Sequence, residues 1–164
     1  MAKSFEEKIW ESVISEYTGS SLEQESINPS KAYMAIATSI PKVGERFRCM
    51  KLVRNFSNEL TLRYYYTSTV RNAERLSRNI FIVTTANSYY VTRVLSLPAA
   101  NSYFAVIREK PKISCSLTIY MMEFFGDEIR YQPQQTSSVQ EVKHSKGLYY
   151  VKTRNSVYIC YPMM

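Results

Sequence analysis

The sequence predicts an α+β fold: a mainly antiparallel, tyrosine-rich β-sheet packed with two or three helices and led by an N-terminal helical arm. Three observations carry this. Apolar residues recur with a period near 3.6 over residues 4–17, the period falls to two from about residue 43, and strands do not alternate with substantial helices as a doubly wound sheet requires. A chain of 164 residues is long enough to bury its own core. The expected organisation is an arm with an acidic linker, residues 1–30, and one globular domain, residues 31–164.

In the arm, Ser4 and Glu7 have the spacing of a capping box, and Phe5, Ile9, Trp10, Val13, Ile14 and Tyr17 form an apolar stripe. Gly19 suits a helix stop, and residues 20–30 read as a polar linker. Between Pro29 and Pro41 a short helix is expected, since proline suits a first helical turn and cannot continue one. Alternation then begins. In ELTLRYYYTSTV, Leu60, Leu62, Tyr64, Tyr66 and Val70 share one face, and Thr61, Arg63, Tyr65, Thr67 and Thr69 the other. TVRNAERLSRN, residues 69–79, reads as a helix with Arg71, Arg75 and Arg78 on one face and Ala73, Leu76 and Ile80 on the other. Strands are expected at 80–85, 88–97, 102–108 and 113–121, where β-branched and aromatic residues concentrate. Residues 126–147 read as a polar loop with at most a short element, and 148–161 as a hairpin turning near Arg154–Ser156. No internal repeat is expected.

Charge is the informative feature. Residues 1–30 hold two lysines against six glutamates, net −4; residues 31–112 hold 14 Lys/Arg against four glutamates, net +10; residues 113–164 hold five against four, net +1. The middle suits phosphates, and the acidic start suits a basic surface such as a neighbouring copy. Candidate polyanion contacts are Lys42, Arg46, Arg48, Lys51, Arg54, Arg63, Arg71, Arg75 and Arg78. Arginine forms forked hydrogen bonds to phosphate, and clustered cations release counterions on binding. Tyr64, Tyr65 and Tyr66 offer rings for stacking bases. SLPAANSYFAV, residues 96–106, is apolar for a link between strands. Leu97, Pro98, Tyr103 and Phe104, with the stripe from Phe5 to Tyr17, are the candidates for self-association or membrane contact.

Catalysis finds little support. His144 is the only histidine and sits in a polar run. Glu123, Asp127 and Glu128 read as a strand end and turn rather than a convergent acid pair. Cys49, Cys115 and Cys160 lie far apart among apolar or strand-like neighbours, without zinc spacing, and are expected to be buried free thiols. With four glycines and no glycine-rich phosphate loop, no catalytic residue, cofactor, metal or small-molecule substrate is expected. The first residues lack the pattern of a signal peptide, so a cytosolic protein is expected.

The order of segments resembles the globular domain of rhabdovirus matrix proteins over roughly residues 58–162. An aromatic strand (LRYYYTSTVR) leads to a short helix (NAERLSRN), a strand pair (IFIVTTANSYYVTRVLSL), an apolar loop (SLPAANSYF), a strand (KPKISCSLTIYMME) and a closing segment (GLYYVKTRNSVYICYP). The resemblance implies a non-enzymatic structural protein of a divergent, plant- or arthropod-infecting virus. Such a protein self-associates into a layer, binds and condenses the viral nucleoprotein–RNA complex, and links it to anionic membrane lipid during assembly and budding. It implies a place in the virion beneath the envelope, and in the host cytoplasm, membranes and nucleus. Against it stands an acidic start without a PPxY or PTAP budding motif. The alternative is an RNA-binding or host-modulating viral protein such as a silencing suppressor.

Overall fold

The structure, a computed structural model, describes residues 32–86, 88–98 and 101–164. The expected arm, with Phe5, Ile9, Trp10, Val13, Ile14 and Tyr17, lies outside the described residues. Within them the protein is all-β, not α+β. The strands are β1 Tyr33–Ala37, β2 Arg46–Arg54, β3 Leu60–Thr69, β4 Asn72–Arg75, β5 Ile80–Thr84, β6 Tyr89–Val94, β7 Ser102–Ile107, β8 Thr118–Phe125, β9 Glu128–Gln135, β10 Glu141–Ser145, β11 Leu148–Lys152 and β12 Val157–Pro162. No described residue is helical.

Long-range pairing explains each lost helix. YMAIA, placed in a helix over 29–41, is β1, held between β2 and β6 with Met34–Ala37 buried. Its continuous apolar run is that of a strand covered on both faces. In the supposed arginine helix, Asn72–Arg75 pair with Phe81–Thr84. A tight turn follows, in which the Leu76 N–H donates to the Ile80 carbonyl and the Ser77 hydroxyl to Asn79 Oδ1. The helical spacing of Ala73, Leu76 and Ile80 is coincidental. The expected loop 126–147 instead contains β9 and β10. β9 is exposed over almost its whole length and includes Pro133, so polarity hid it. The expected turn near Arg154–Ser156 does join β11 to β12.

The strands form two six-stranded sheets, ordered β3-β2-β1-β6-β5-β4 and β9-β8-β7-β12-β11-β10. These are one topology used twice. In each, sheet neighbours pair antiparallel except the first and last strands, which pair parallel, Tyr33 beside Tyr90 and Tyr103 beside Tyr158. β3 and β4 are opposite edges of their sheet, yet only Val70 and Arg71 separate them. Val70 exchanges hydrogen bonds with Gly44 and Glu45 on the β2 side, and the Arg71 N–H donates to Thr84 on the β5 side. The sheet therefore coils until its edges meet in one continuous run, forming a barrel. An up-and-down path of five runs, an odd number, must close with a parallel pair. The second copy closes the same way, with Val139 bonded to Ser114 and Cys115, and Gln140 to Lys152.

Sequence echoes of the duplication lie 68 to 70 residues apart: YMAIA and YFAVI, TSTV and TSSV, TANSYY and TRNSVY. Each is structural. Thr67 and Thr136 each use one hydroxyl twice, accepting from the Phe47 or Leu117 N–H at 3.0 Å and donating to the next residue's carbonyl. In the first copy this is a β-bulge, where pairing shifts between Arg46–Thr69 and Arg48–Tyr66. The extra residue flips the strand's parity. Val70 therefore turns into the barrel and does not share the face of Tyr64 and Tyr66 as alternation implied. Tyr33 stacks on Tyr90 at 5.8 Å, and Tyr103 on Tyr158 at 5.7 Å. The turn position with positive φ is Gly44 (+90°) in one copy and Ser114 (+69°) in the other. Glycine removes a strain that Ser114 bears.

Three apolar clusters follow. Ala35, Phe47, Cys49, Val70, Val83 and Tyr90 fill the first barrel; Ala105, Leu117, Ile119, Val139, Val151 and Tyr158 fill the second. Between the barrels Met34, Ile36, Leu52, Ile82 and Val91 meet their counterparts Phe104, Val106, Met122, Tyr150 and Ile159. The interface thus uses equivalent residues from both sides, as in a two-fold dimer. Full burial of each such side chain contributes about 1.5–3 kcal/mol.

Candidate functional site

Strand register divides the candidate residues of the first barrel between two places. Directly opposed residues share a face, so Arg48 with Tyr66 and Met50 with Tyr64 lie on the outer face, next to Leu52 and Leu62 at the rim of the interbarrel core. Cys49 with Tyr65 and Lys51 with Arg63 lie on the inner face, at the barrel mouth.

On the outer face, the Arg46 guanidinium lies 3.9 Å from the centre of the Tyr66 ring, and that of Arg48 5.2 Å. Arg46 is fixed by its Nε, which donates to the Thr67 carbonyl at 2.8 Å, an acceptor next to the bulge. Tyr64 is 83% exposed and Tyr66 46%. Beside them is a groove of about 670 Å³ with Ile36, Met50 and Leu95 in its lining. At the mouth, Lys51 Nζ sits 4.2 Å from the Tyr33 ring centre and 4.5 Å from that of Tyr65, which leans on Tyr90. Burial pushes the Tyr90 hydroxyl well above the usual tyrosine range.

The other candidates are scattered. Lys42 is exposed in the β1–β2 turn. Arg54, at the far end of β2, reaches the other barrel, 3.1 Å from Met163 Sδ. Arg75 is tied into its own turn, donating to the Ser77 and Arg78 carbonyls. Arg78 is exposed in that turn and Arg71 at the other end of β4, with no shared helical face. The second part of the expected apolar loop, from Ser102, is β7. Phe104 is fully buried between the barrels, Tyr103 stacks on Tyr158, Leu97 packs on the first barrel's interior, and Pro98 is exposed. Cys49 and Cys160 are buried as expected, but Cys115 is exposed. His144 belongs to strand β10 rather than a loop and stacks on Tyr149 at 4.1 Å. Glu123, Asp127 and Glu128 lie at the β8–β9 turn.

The second barrel provides an internal comparison. The register equates Arg63, Tyr64, Tyr65 and Tyr66 with Gln132, Pro133, Gln134 and Gln135, and Arg46, Arg48 and Lys51 with Ser116, Thr118 and Met121. Where Arg46 covers Tyr66, Gln135 donates to the Ser116 hydroxyl at 3.0 Å. The backbone is kept while the charge and rings are absent. Described residues of the first barrel carry ten Lys/Arg against three glutamates, net +7; those of the second carry eight against five acids, net +3. Sequence reasoning missed Met50, Ile36 and Leu95 in the groove, and Tyr33 and Tyr90 around Lys51. The register of β2 on β3 was the signal for Met50.

No described group of three or more His, Cys, Asp or Glu could hold a metal ion, and no described helix is long and apolar enough to cross a membrane. Compared with protein-family models, curated proteins and solved structures, the chain matches none.

Proposed function

We propose that the chain is a non-enzymatic assembly protein whose first barrel presents its β2–β3 face to a polyanion, the RNA of a nucleoprotein complex. One observation carries the reading. Arg46, Arg48, Tyr64 and Tyr66 stand on a backbone that the second barrel builds with Ser116, Thr118, Pro133 and Gln135. The fold therefore does not require the cations or the rings. Arg46 and Arg48 have no described carboxylate within salt-bridge distance, leaving their charge for a ligand.

This is the nucleocapsid-binding part of a viral matrix-type role. The support is charge and register, not the segment order of rhabdovirus matrix proteins, which required a helix at 72–79 where a strand and turn stand. Self-association through an apolar loop loses Phe104, which is interbarrel core.

The test is fluorescence anisotropy of the full chain with a labelled RNA oligonucleotide over a salt series. Affinity should fall steeply with salt, and Arg46→Gln/Arg48→Gln should weaken it about tenfold and reduce the salt slope by roughly one to two. Unchanged binding by that variant would remove this face from the proposal.

A further inference from the structure

The groove beside Tyr64 and Tyr66 is lined by one cation, Arg48, and by apolar side chains such as Ile36, Met50 and Leu95, and a chain of phosphates needs only the cations. We infer that the first barrel's groove takes unpaired bases of a single-stranded nucleic acid, stacked on Tyr64 and Tyr66, while Arg46 and Arg48 hold the adjoining phosphates. This rests on the polyanion reading above and adds that the ligand is bound by its bases as well as its charge.

The first support is the uncovered state of Tyr64. Along the same face of β3, Leu60 and Leu62 pack into the interbarrel core. Two residues on, Tyr64 is 83% exposed. A ring so placed contributes little to stability. The position tolerates a non-aromatic residue, since Pro133 occupies it in the second copy.

The second support is the pairing of ring with cation. Tyr66 has two guanidinium groups within 5.2 Å of its centre. Arg46 is anchored by backbone carbonyls, so it is oriented before any ligand arrives. A nucleotide offers a flat apolar ring joined to an anion, which matches a tyrosine next to a fixed arginine.

The third support is the groove itself. Its volume of about 670 Å³ falls within the range of ligand sites, and Ile36, Met50 and Leu95 give it an apolar lining. A duplex keeps its base faces stacked inside and cannot present them to Tyr64 or Tyr66. The groove should therefore select single strands.

Three labelled probes of about 12 nucleotides, within the span single-strand binders cover, separate the possibilities: a single-stranded RNA, the same sequence as a duplex, and an abasic strand of equal charge. The single strand should bind the full chain about tenfold more tightly than the abasic strand, and more tightly than the duplex. Tyr64→Ala/Tyr66→Ala should weaken the single strand about tenfold and the abasic strand far less, so that the advantage is lost. Unfolding curves check that the variant remains folded. Equal binding of all three probes, with loss on Arg46→Gln/Arg48→Gln, would overturn base recognition while sparing the polyanion reading. Binding of none would overturn both, and a preference for the duplex would sink the inference.

Discussion

Arg93 of β6 and Phe124 of β8 meet across the seam between the barrels, guanidinium carbon to ring centre 6.0 Å. The equivalent positions in the other seam are Tyr161 and Arg54, again 6.0 Å apart, with cation and ring exchanged. Two copies of the first barrel packed in this way would set Arg54 against Arg93. The exchange favours the unlike pair of halves over a like one. Arg93 is the costlier cation: its Nε is buried without a hydrogen-bond partner, and desolvation lowers its pKa. Phe124→Arg should therefore lose about 1–2 kcal/mol in urea unfolding, and Arg93→Phe/Phe124→Arg should recover at least half of that. No recovery in the double variant would show that the pair does not couple.

Thr67 and Thr136 hold equivalent places, so they can be tested against each other. Valine at either keeps the shape but leaves the Phe47 or Leu117 N–H without its acceptor. Each substitution should cost about 1–3 kcal/mol, and the two losses should agree within about 0.5 kcal/mol. A large loss at one site and none at the other would mean that the threonine is structural in only one copy.

The arginines around β4 differ from those of the β2–β3 face. Arg71→Gln/Arg75→Gln/Arg78→Gln should weaken RNA binding less than Arg46→Gln/Arg48→Gln does, because Arg71 and Arg78 flank opposite ends of β4. Arg75→Gln alone should lower stability by about 0.5–1.5 kcal/mol through the lost carbonyl contacts. Stronger loss of RNA binding in the triple variant would relocate the site to β4 and its flanks.

The cysteines should titrate and react unequally. In the native protein a thiol reagent should modify Cys115 alone; modification of two or three thiols would contradict the burial of Cys49 and Cys160. Burial pushes the Cys49 thiol from its ordinary 9.0 up to about 11. The folded state thus holds a proton that the unfolded chain releases. The associated stability is fully present below pH 9 and is lost as pH rises towards 11. Cys49→Val removes that titration, so the fall in stability between those pH values should be shallower than in the parent. An unchanged slope would assign the alkaline loss to other groups, such as Tyr90.

What the sequence disclosed follows from the range of the forces involved. The runs IFIVT, YYVTRV and SYFAVI were legible as strands because β-branched and aromatic residues favour a packed, pleated surface whatever their partners. YMAIA was not, since five mostly apolar residues between prolines suit a helix or a buried strand equally well. NAER became a strand because β5 pairs with it, which nothing local reveals. The duplication is hard to see in the sequence because most positions diverged; the hydroxyl-bonded threonine and the stacked tyrosine pair are retained. The basic character of the middle was plain from composition. Its division between an outer face and a barrel mouth depended on a register that alternation alone does not set.

The parallel closure of each barrel has a kinetic consequence. β1 cannot complete its pairing until β6, more than fifty residues later, has been made, so neither barrel can form piecemeal from local hairpins. Contacts of such long sequence separation slow the search for the native state. During synthesis, however, β6 ends before β7 begins. The first barrel can therefore close while the second is still emerging, and its apolar outer flank then acts as a template on which the later copy condenses.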